Sequence, residues 1–394
     1  MEDGIKDGFL TIEDGKIKAF SPKSAALTAD KDFSRYRIIP GVVDTHNHGS
    51  FGYSLAGSEE FTEKEAAAYL KGLAATGVTA VLPTTTNLEV MKLLVDNKDK
   101  LLDGARICGI HSEGPWGNRV GEKGINTGYP AIDMDHAKKM IEVCQGMLKL
   151  VDIAPELEGA HDMIRFLVSQ GINVGIYHTN ANFEEANAGI DAGITVATHL
   201  GNVMTGLHHR DIGTLGACLF RDEVDCEVIC DDLHLSLEIV RLYFKVKDYS
   251  RFMMVSDNVH YAGAPAGRYK GMTTDEKSDR IRITVTKEGF VLSETGRLSG
   301  SSLPVMYGIK NLVQKLDIPL ETVVLMSSLN PAKKYGFGDR KGSLKIGKDA
   351  DFAVVTTDFD VVKTYCEGRL VYDKYVDTDL FNPDYLDEFL LEKF

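Results

Sequence analysis

The sequence of 394 residues predicts an α/β protein, a (β/α)8 TIM-like barrel joined to a small β-sandwich domain made from both chain ends. In the middle of the chain, apolar runs that end in polar residues alternate with helical patterns, while both ends carry short strands with glycine turns. A barrel of this class takes about 250 residues or more. We therefore assign residues 41–334 to the barrel and residues 1–40 and 335–394 to the β domain.

The two chain ends resemble each other in pattern. Residues 8–20 predict two strands joined by an Asp14-Gly15 turn, because Asp-Gly is a strong signal for a two-residue hairpin. Residues 342–355 and 361–372 predict further short strands with glycine turns. Neither end has enough strands for a core of its own, so we expect the two ends to form one domain.

The middle of the chain contains eight strand candidates, most of them followed by a helical pattern such as 62–75, 161–170, 183–192 or 235–247. Nearly continuous apolar strands that alternate with helices indicate a parallel sheet, and eight such units favour a closed barrel. The alternation of strands and helices by itself also fits a doubly wound open sheet, which is the competing architecture. The strand candidates are Arg37–Asp44, Val78–Thr84, Ile107–Glu113, Leu150–Pro155, Asn173–His178, Thr195–His199, Cys226–Asp231 and Phe252–Asp257.

Composition narrows the class of partner. With 44 Lys and Arg against 58 Asp and Glu, the formal net charge is −14, which argues against nucleic acid or an anionic membrane as a partner. No run approaches the ~20 apolar residues that a membrane span requires. The six cysteines form no CxxC pair and the first residues do not predict a signal peptide, so we expect a cytoplasmic protein. A small anionic ligand would need a local cluster of cationic groups.

Metal-binding residue types follow the predicted strands, at the end where a barrel builds its active site. His46 and His48 lie two residues apart after the first strand, so both imidazoles point to the same side. Singly, such residues have structural explanations: hydrogen-bonded loop or core histidines, an ion pair, a capping aspartate. Together they predict a site for Zn²⁺, Fe²⁺ or a similar divalent ion. The candidate ligands are His46, His48, Glu113, His178 and His199, with Asp257 as a free carboxylate beside them.

Several longer motifs carry a family resemblance. They are 40–48, 111–115, 198–204, 207–210, 232–234, 255–257, 328–332 and 342–351. Over nearly its whole length the chain resembles the N-acetylglucosamine-6-phosphate deacetylases of the amidohydrolase superfamily. The resemblance implies that Glu113, His178 and His199 hold the main ion. His46 and His48 would complete a second site, which only some members possess. One or two ions per chain and a homodimer are the corresponding expectations.

The resemblance also implies a reaction, the hydrolysis of an acetamide. A bound ion lowers the pKa of water from about 15.7 toward neutrality, and Asp257 would accept the proton and deliver it to the leaving amine. The substrate would be a phosphorylated amino sugar, whose phosphate is contacted by Arg210, His234 and the backbone at Asn202 and Val203. Leu298, Ser299 and Gly300 would line the sugar pocket.

The chain departs from the family pattern in the expected pocket. After Lys123-Gly124 the family has a small residue and a histidine that is thought to polarise the carbonyl, whereas this chain has Ile125 and Asn126. Asn126 can donate a hydrogen bond but carries no charge, so a second ion is an alternative source of polarisation. Three alternatives stay open: the galactosamine epimer as substrate, an amidohydrolase of cyclic amides or N-acyl amino acids, and a non-catalytic metal-binding or scaffold protein. The last would be expected to have lost some of the ligands.

Overall fold

A computed structural model describes residues 4–25, 27–56, 61–120, 128–270 and 282–394. The chain begins with an antiparallel hairpin, in which β1 (Gly8–Glu13) pairs with β2 (Lys16–Pro22). At the turn, Asp14 has φ 49° and Gly15 has φ 75°. A type I′ turn requires this left-handed backbone at both central residues, so the predicted hairpin is present.

The first predicted strand, 37–44, divides between two sheets, which corrects its assignment as one strand. β3 (Arg37–Pro40) belongs to the sheet of the chain ends, and β4 (Val42–Asn47) is the first barrel strand. The break falls at Gly41, where a Cβ atom would lie 2.1 Å from the Thr79 hydroxyl oxygen. Only glycine fits here, because the backbone approaches the neighbouring strand too closely for a side chain.

The barrel contains the eight predicted strand positions. A short hairpin of β5 (Gly49–Ser50) and β6 (Tyr53–Ser54) follows the first strand. The remaining barrel strands are β7 (Val78–Pro83), β8 (Arg106–Ile107) and its continuation β9 (Ile110–Trp116), β10 (Leu148–Ile153), β11 (Asn173–Ile176), β12 (Val196–Ala197), β13 (Asp225–Val228) and β14 (Phe252–Met254). They run parallel in the order β4-β7-β8 and β9 to β14. Parallel bridges Thr84–His111 and Asn47–Asn258 join the two groups into a ring.

Helices cover the outside of the barrel. Thr62 caps α1 (Glu63–Ala75) and Asn182 caps α5 (Phe183–Ala192), each in a capping box with the glutamate three residues on, in which each of the two side chains accepts from the backbone N–H of the other residue. No helix in the described ranges is long and apolar enough to cross a bilayer. These helices are α1 (Glu63–Ala75), α2 (Leu88–Asn97), α3 (Met134–Cys144), α4 (Ala160–Ser169), α5 (Phe183–Ala192), α6 (Gly213–Phe220) and α7 (Leu237–Val246), followed by a 3₁₀ turn at Tyr249–Arg251.

An antiparallel sheet that the sequence did not predict follows the eighth barrel strand. Its strands are β15 (Gly267–Lys270), β16 (Arg282–Val285), β17 (Phe290–Leu292) and β18 (Leu298–Ser301). The chain then returns to the barrel wall through α8 (Val305–Gln314), α9 (Leu320–Val324), a π-helical turn (Leu325–Leu329) and α10 (Asn330–Lys334). The sheet matters for the site because β18 ends beside the last barrel strand, through the parallel bridge Asn258–Ser301.

The C-terminal strands form a sheet with β3 from the N-terminal part of the chain, as the predicted fold class requires. β19 (Phe352–Val355), β20 (Val361–Cys366) and β21 (Arg369–Asp373) form a sheet with β3 in the order β21-β20-β19-β3. Its core includes Ile17 of the hairpin together with Phe352 and Tyr365. The last elements lie elsewhere: α11 (Pro383–Phe389) leads to β22 (Leu390–Lys393), which pairs with β15 of the antiparallel sheet. The domain boundaries drawn from the sequence stay a prediction.

Candidate metal centre

Four of the five candidate ligands, all histidines, converge on the fifth, the carboxylate of Glu113, at the C-terminal mouth of the barrel. Glu113, in β9, is the centre of the cluster. Its Oε1 lies 3.0 Å from His199 Nε2, 3.5 Å from His178 Nε2 and 3.7 Å from His46 Nε2, and its Oε2 lies 3.1 Å from His48 Nε2. The ligand atoms therefore divide into two overlapping groups that share Glu113, one with His46 and His48 and one with His178 and His199.

The donor set suits a divalent ion. Imidazole nitrogens and a carboxylate oxygen, without thiolate, are typical ligands of Zn²⁺ and Fe²⁺. His46 Nε2 and His48 Nε2 face each other at 3.1 Å, and the His46 ring is fully buried. Two lone pairs at this distance repel unless a proton or a cation lies between them. The residues present thus fit a metal ion at either end of Glu113.

The electrostatics of the cluster favour positive charge on its imidazoles. Burial by itself lowers the pKa of His48, but hydrogen bonds to Asp257 and Glu113 outweigh it and raise the pKa to about 9. The same competition raises the pKa of His46 well above its usual value. Conversely, burial would raise the pKa of Glu113, and its histidine neighbours instead hold it well below the usual range. A cation that replaces these protons meets a site already arranged for positive charge.

His178 lies at the edge of this cluster and behaves differently. Burial is the largest influence on it and lowers its pKa to about 4, so the ring is neutral near pH 7. Its Nδ1 lies 2.6 Å from the Tyr129 hydroxyl, which in turn lies 3.4 Å from the Arg119 carbonyl oxygen. A neutral ring that donates from Nδ1 to Tyr129 presents the lone pair of Nε2 to the cluster, as a metal ligand must. The sequence analysis did not identify Tyr129.

Asp257 lies against the histidines of the first strand. Its Oδ1 is 3.4 Å from His48 Nε2 and 3.5 Å from His46 Nε2, and its side chain is 16% exposed. Burial would raise the pKa of this carboxyl, but the charges of His46 and His48 outweigh burial and lower it. Asp257 is therefore ionised at neutral pH and open to the mouth, which is the state a proton acceptor needs.

Three residues of the mouth have a left-handed backbone. His178 has φ 38°, His199 has φ 32° and Asp257 has φ 49°. Non-glycine residues rarely adopt this region, and such outliers cluster where a site must aim a side chain. Here the reversal at the end of each strand turns the side chain into the mouth, which strand periodicity alone does not predict.

Buried polar residues that were not predicted from the sequence lie close to the ligands, and one of them contacts a ligand directly. Glu227 Oε2 lies 3.0 Å from His46 Nδ1. In the neighbouring strands β9 and β10, Asp152 Oδ2 lies 2.7 Å from His111 Nε2, and Asp152 Oδ1 accepts a hydrogen bond from the Thr198 hydroxyl. All these side chains are buried. The available signal was a carboxylate inside an apolar strand, because a buried charge needs a partner.

The predicted phosphate contacts fall into two environments. His234 is nearly buried, and its Nδ1 lies 2.8 Å from Asp231 Oδ2. Burial lowers its pKa, but the hydrogen bond to Asp231 outweighs this and raises it; Asp257 and His199 also act on it electrostatically. Asn202 donates to the His199 carbonyl oxygen. His234 and Asn202 thus belong to the surroundings of the metal cluster.

Arg210 lies on an exposed loop, and the described residues contain no ion pair to its side chain. An ion pair with Asp211 or Asp222 would be a structural explanation of this arginine, and none is present in that part of the chain. Val203 is partly buried, has φ 51°, and its carbonyl oxygen accepts from the Thr179 N–H. The function of Arg210 and Val203 stays a prediction.

The remaining predicted residues lie after the last barrel strand or outside the description. Leu298, Ser299 and Gly300 belong to β18, and the next residue donates its backbone N–H to the Asp257 carbonyl oxygen at 3.0 Å. This strand is thus fixed beside the candidate base. Ile125 and Asn126 lie outside the described residues, so their predicted contact with the substrate stays untested.

The chain matches the model of the Amidohydrolase family over residues 37–371. It is 32% identical to an N-acetylglucosamine-6-phosphate deacetylase of Vibrio furnissii, with 93% of this chain and 92% of that protein covered. An N-acetylgalactosamine-6-phosphate deacetylase of Escherichia coli O157:H7 is 29% identical, with 94% and 96% covered. The structure of a variant N-acetyl-D-glucosamine-6-phosphate deacetylase from Mycobacterium smegmatis, in complex with N-acetyl-D-glucosamine-6-phosphate, superposes with a TM-score of 0.80 at 26% identity, over 92% and 94% of the two chains. The predicted fold and the predicted resemblance are confirmed, and the chain belongs to the amidohydrolase family.

Proposed function

We propose that the protein is a metal-dependent hydrolase that converts N-acetylglucosamine 6-phosphate and water into glucosamine 6-phosphate and acetate. The observation that carries the proposal is the convergence of four histidines on Glu113 at the barrel mouth, with Asp257 against two of them. Relatives named for this reaction match the chain over more than nine-tenths of its length.

Five residues of the chain would hold the ion or ions: Glu113, His178 and His199 at one end of the cluster, His46 and His48 at the other. A divalent ion bound there supplies Lewis acidity toward the amide carbonyl and activates water at neutral pH. We propose Zn²⁺ or Fe²⁺ as the ion. That the donors are nitrogen and carboxylate oxygen supports both.

Asp257 would move the proton. An ionised carboxylate at the mouth accepts a proton from the attacking water and then delivers it to the nitrogen of the leaving amine. The amide C–N bond breaks, the water oxygen stays with acetate, and the amine leaves with the proton from Asp257. The ionised state and partial exposure of Asp257 support the acceptor role.

The phosphate would bind at the positive side of the mouth. Asp231 raises the pKa of His234, which favours the cationic form of this donor. Arg210 can supply a planar, bidentate guanidinium. We propose that these two groups and the backbone at Asn202 and Val203 contact the phosphate, while Leu298, Ser299 and Gly300 line the sugar pocket.

N-acetylgalactosamine 6-phosphate is a second candidate substrate. A relative named for that sugar phosphate matches this chain at 29% identity over nearly its full length, close to the values for the glucosamine relatives. The two sugars differ in the orientation of one hydroxyl group. The chain departs from the family pattern at Ile125, Asn126, Gly201 and Val203, all in the expected substrate pocket, and these departures keep the galactosamine epimer open as the substrate.

We also propose a homodimeric protein that works in the cytoplasm. Six free cysteines, five of them buried, support a reducing compartment. Size-exclusion chromatography with light scattering tests the dimer, which a monomer at micromolar concentration would refute.

The experiment that tests the function is acetate release from a panel of four sugars. Metal-loaded protein is incubated with N-acetylglucosamine, N-acetylgalactosamine and the 6-phosphate of each. We expect the highest kcat/KM for N-acetylglucosamine 6-phosphate and little turnover without phosphate. Equal rates with and without phosphate, or hydrolysis of cyclic amides instead, would contradict the proposal.

A further inference from the structure

Each imidazole of the cluster that turns Nε2 toward Glu113 has Nδ1 on its far side. The hydrogen-bond partner of this Nδ1 atom differs from one histidine to the next. His46 Nδ1 lies 3.0 Å from a carboxylate oxygen of Glu227, and His178 Nδ1 lies 2.6 Å from the Tyr129 hydroxyl. His199 Nδ1 is buried and has no hydrogen-bond partner among the described residues. Among the residues that the structure describes, Glu227 is the one carboxylate bonded to the outward nitrogen of an imidazole of this cluster.

Glu227 is built into the barrel wall with little freedom to move. It lies in β13, its side chain is fully buried, and its second oxygen accepts a hydrogen bond from Thr45 Oγ1 at 3.1 Å. Thr45 precedes His46 in the chain, so Glu227 is bound to the same strand at two successive residues. The carboxylate therefore fixes both the position and the rotation of the His46 ring.

This contact determines which nitrogen of His46 is free. Glu227 accepts the hydrogen bond, so Nδ1 keeps the proton that it donates, and Nε2 is the nitrogen that can give up its proton and present a lone pair to a cation. That nitrogen faces His48 Nε2 at 3.1 Å and Glu113 Oε1 at 3.7 Å. A carboxylate behind an imidazole also makes the ring a stronger ligand, and loss of such a partner typically costs about 10- to 100-fold in metal affinity.

We propose that Glu227 is a positioning residue that enables the His46–His48 end of the cluster to bind a second divalent ion. Without the buried carboxylate, His46 could protonate on either nitrogen, and this end would consist of Glu113 and one partly exposed histidine. The inference rests on the metal-dependent hydrolase proposed above, and it adds the number of ions and the residue on which the second ion depends.

The test is a Zn²⁺ titration of metal-free protein in competition with a chromophoric chelator, with the metal content measured by mass spectrometry. We expect two ions per chain in the wild type. In Glu227→Gln, which keeps the shape but removes the charge, we expect the first ion to bind as before and the second about 10- to 100-fold more weakly. Wild-type affinities for both ions in this variant would overturn the proposal, as would a wild type that takes up one ion.

Asp152→Asn is the matched control. Asp152 is equally buried and also pairs with an imidazole, that of His111, but among the described residues His111 makes no ion pair with Glu113, the centre of the metal cluster. We expect this variant to bind both ions as the wild type does. An equal loss of the second ion in both variants would show a general effect of removing buried charge and would overturn the specific role of Glu227.

A second variant covers the case in which Glu227→Gln does not fold. Glu227→Asp keeps the charge but withdraws the carboxylate by one methylene group, and we expect it to weaken the second ion and to leave the first unchanged. Unchanged binding of both ions would count against the proposal. Because ion counts do not measure hydrolysis, two ions without acetate release would refute the proposed function and leave this inference intact.

Discussion

Replacement of Asp257 by asparagine tests the role of its carboxylate in proton transfer while the backbone hydrogen bonds of this residue are kept. The backbone of Asp257 makes the structural contacts, since its N–H donates to the His46 carbonyl oxygen and its own carbonyl oxygen accepts from the Ser301 N–H, both at 3.0 Å. Its φ of 49° is one that asparagine tolerates better than most residues. The Asp257→Asn variant should therefore keep the fold, but an amide cannot accept the proton from water.

The expected loss follows from the role of a positioned acid–base group, which contributes about 10²- to 10⁴-fold to the rate. We expect kcat for acetate release to fall by that factor, with the Zn²⁺ content and the melting temperature near those of the wild type. Asp257→Ala is the comparison, because alanine at this φ adds backbone strain of order 1–3 kcal/mol and should lower the melting temperature. A kcat of Asp257→Asn within about threefold of the wild type, far short of the loss expected for a proton-transfer group, would refute the assignment of Asp257.

Three further predictions concern the phosphate and the sugar side of the mouth. Arg210→Ala should lower kcat/KM for the 6-phosphate about 10- to 100-fold, the value of one or two charged hydrogen bonds, and should leave the slow reaction of the unphosphorylated sugar unchanged; equal losses would contradict phosphate binding. Asp231 raises the pKa of His234, so the cationic form binds phosphate at low pH and is lost as the pH rises through that raised pKa. Asp231→Asn should therefore shift the rise of KM to lower pH, and an unchanged pH profile of KM would argue against it. Gly300→Ala should lower stability by about 1–3 kcal/mol in thermal unfolding, because φ is 74° and the new Cβ would lie 2.4 Å from Val259 Cγ1; an unchanged melting temperature would contradict the packing.

The barrel strands were predictable because each is an apolar run of uniform character. Parallel strands buried on both faces have no polar alternation, and a polar residue marks the point where each strand leaves the core. The antiparallel sheet after Asp257 was missed for the opposite reason. Its strands are three or four residues long, and β22, which pairs with β15, comes more than 100 residues later in the chain. A pattern within a short window carries no information on such a pairing.

In the candidate site, too, the sequence predicts what depends on neighbouring residues but not what depends on contacts between distant parts of the chain. The positions at strand ends marked five residues individually as candidate ligands, and the structure brings them together: His46, His48, Glu113, His178 and His199. Glu227 was not found, although it stands between Cys226 and Val228 in an apolar strand, where a charged residue is unusual. The sequence indicates that such a carboxylate needs a partner but does not say which one, since His46 is 181 residues away along the chain.

The acidic composition of the chain and an anionic substrate are compatible because of where the carboxylates lie. A net charge of −14 would repel a phosphate if it faced the mouth. Asp231, however, is 3% exposed and lies behind His234, where it cannot touch a ligand but raises the pKa of the histidine that can. Glu227 stands in the same relation to His46, fully buried behind the ring. A carboxylate one layer below an imidazole thus favours the cationic or cation-binding form of the ring above it, so acidic residues in this layer make the mouth more receptive to a metal ion and to phosphate.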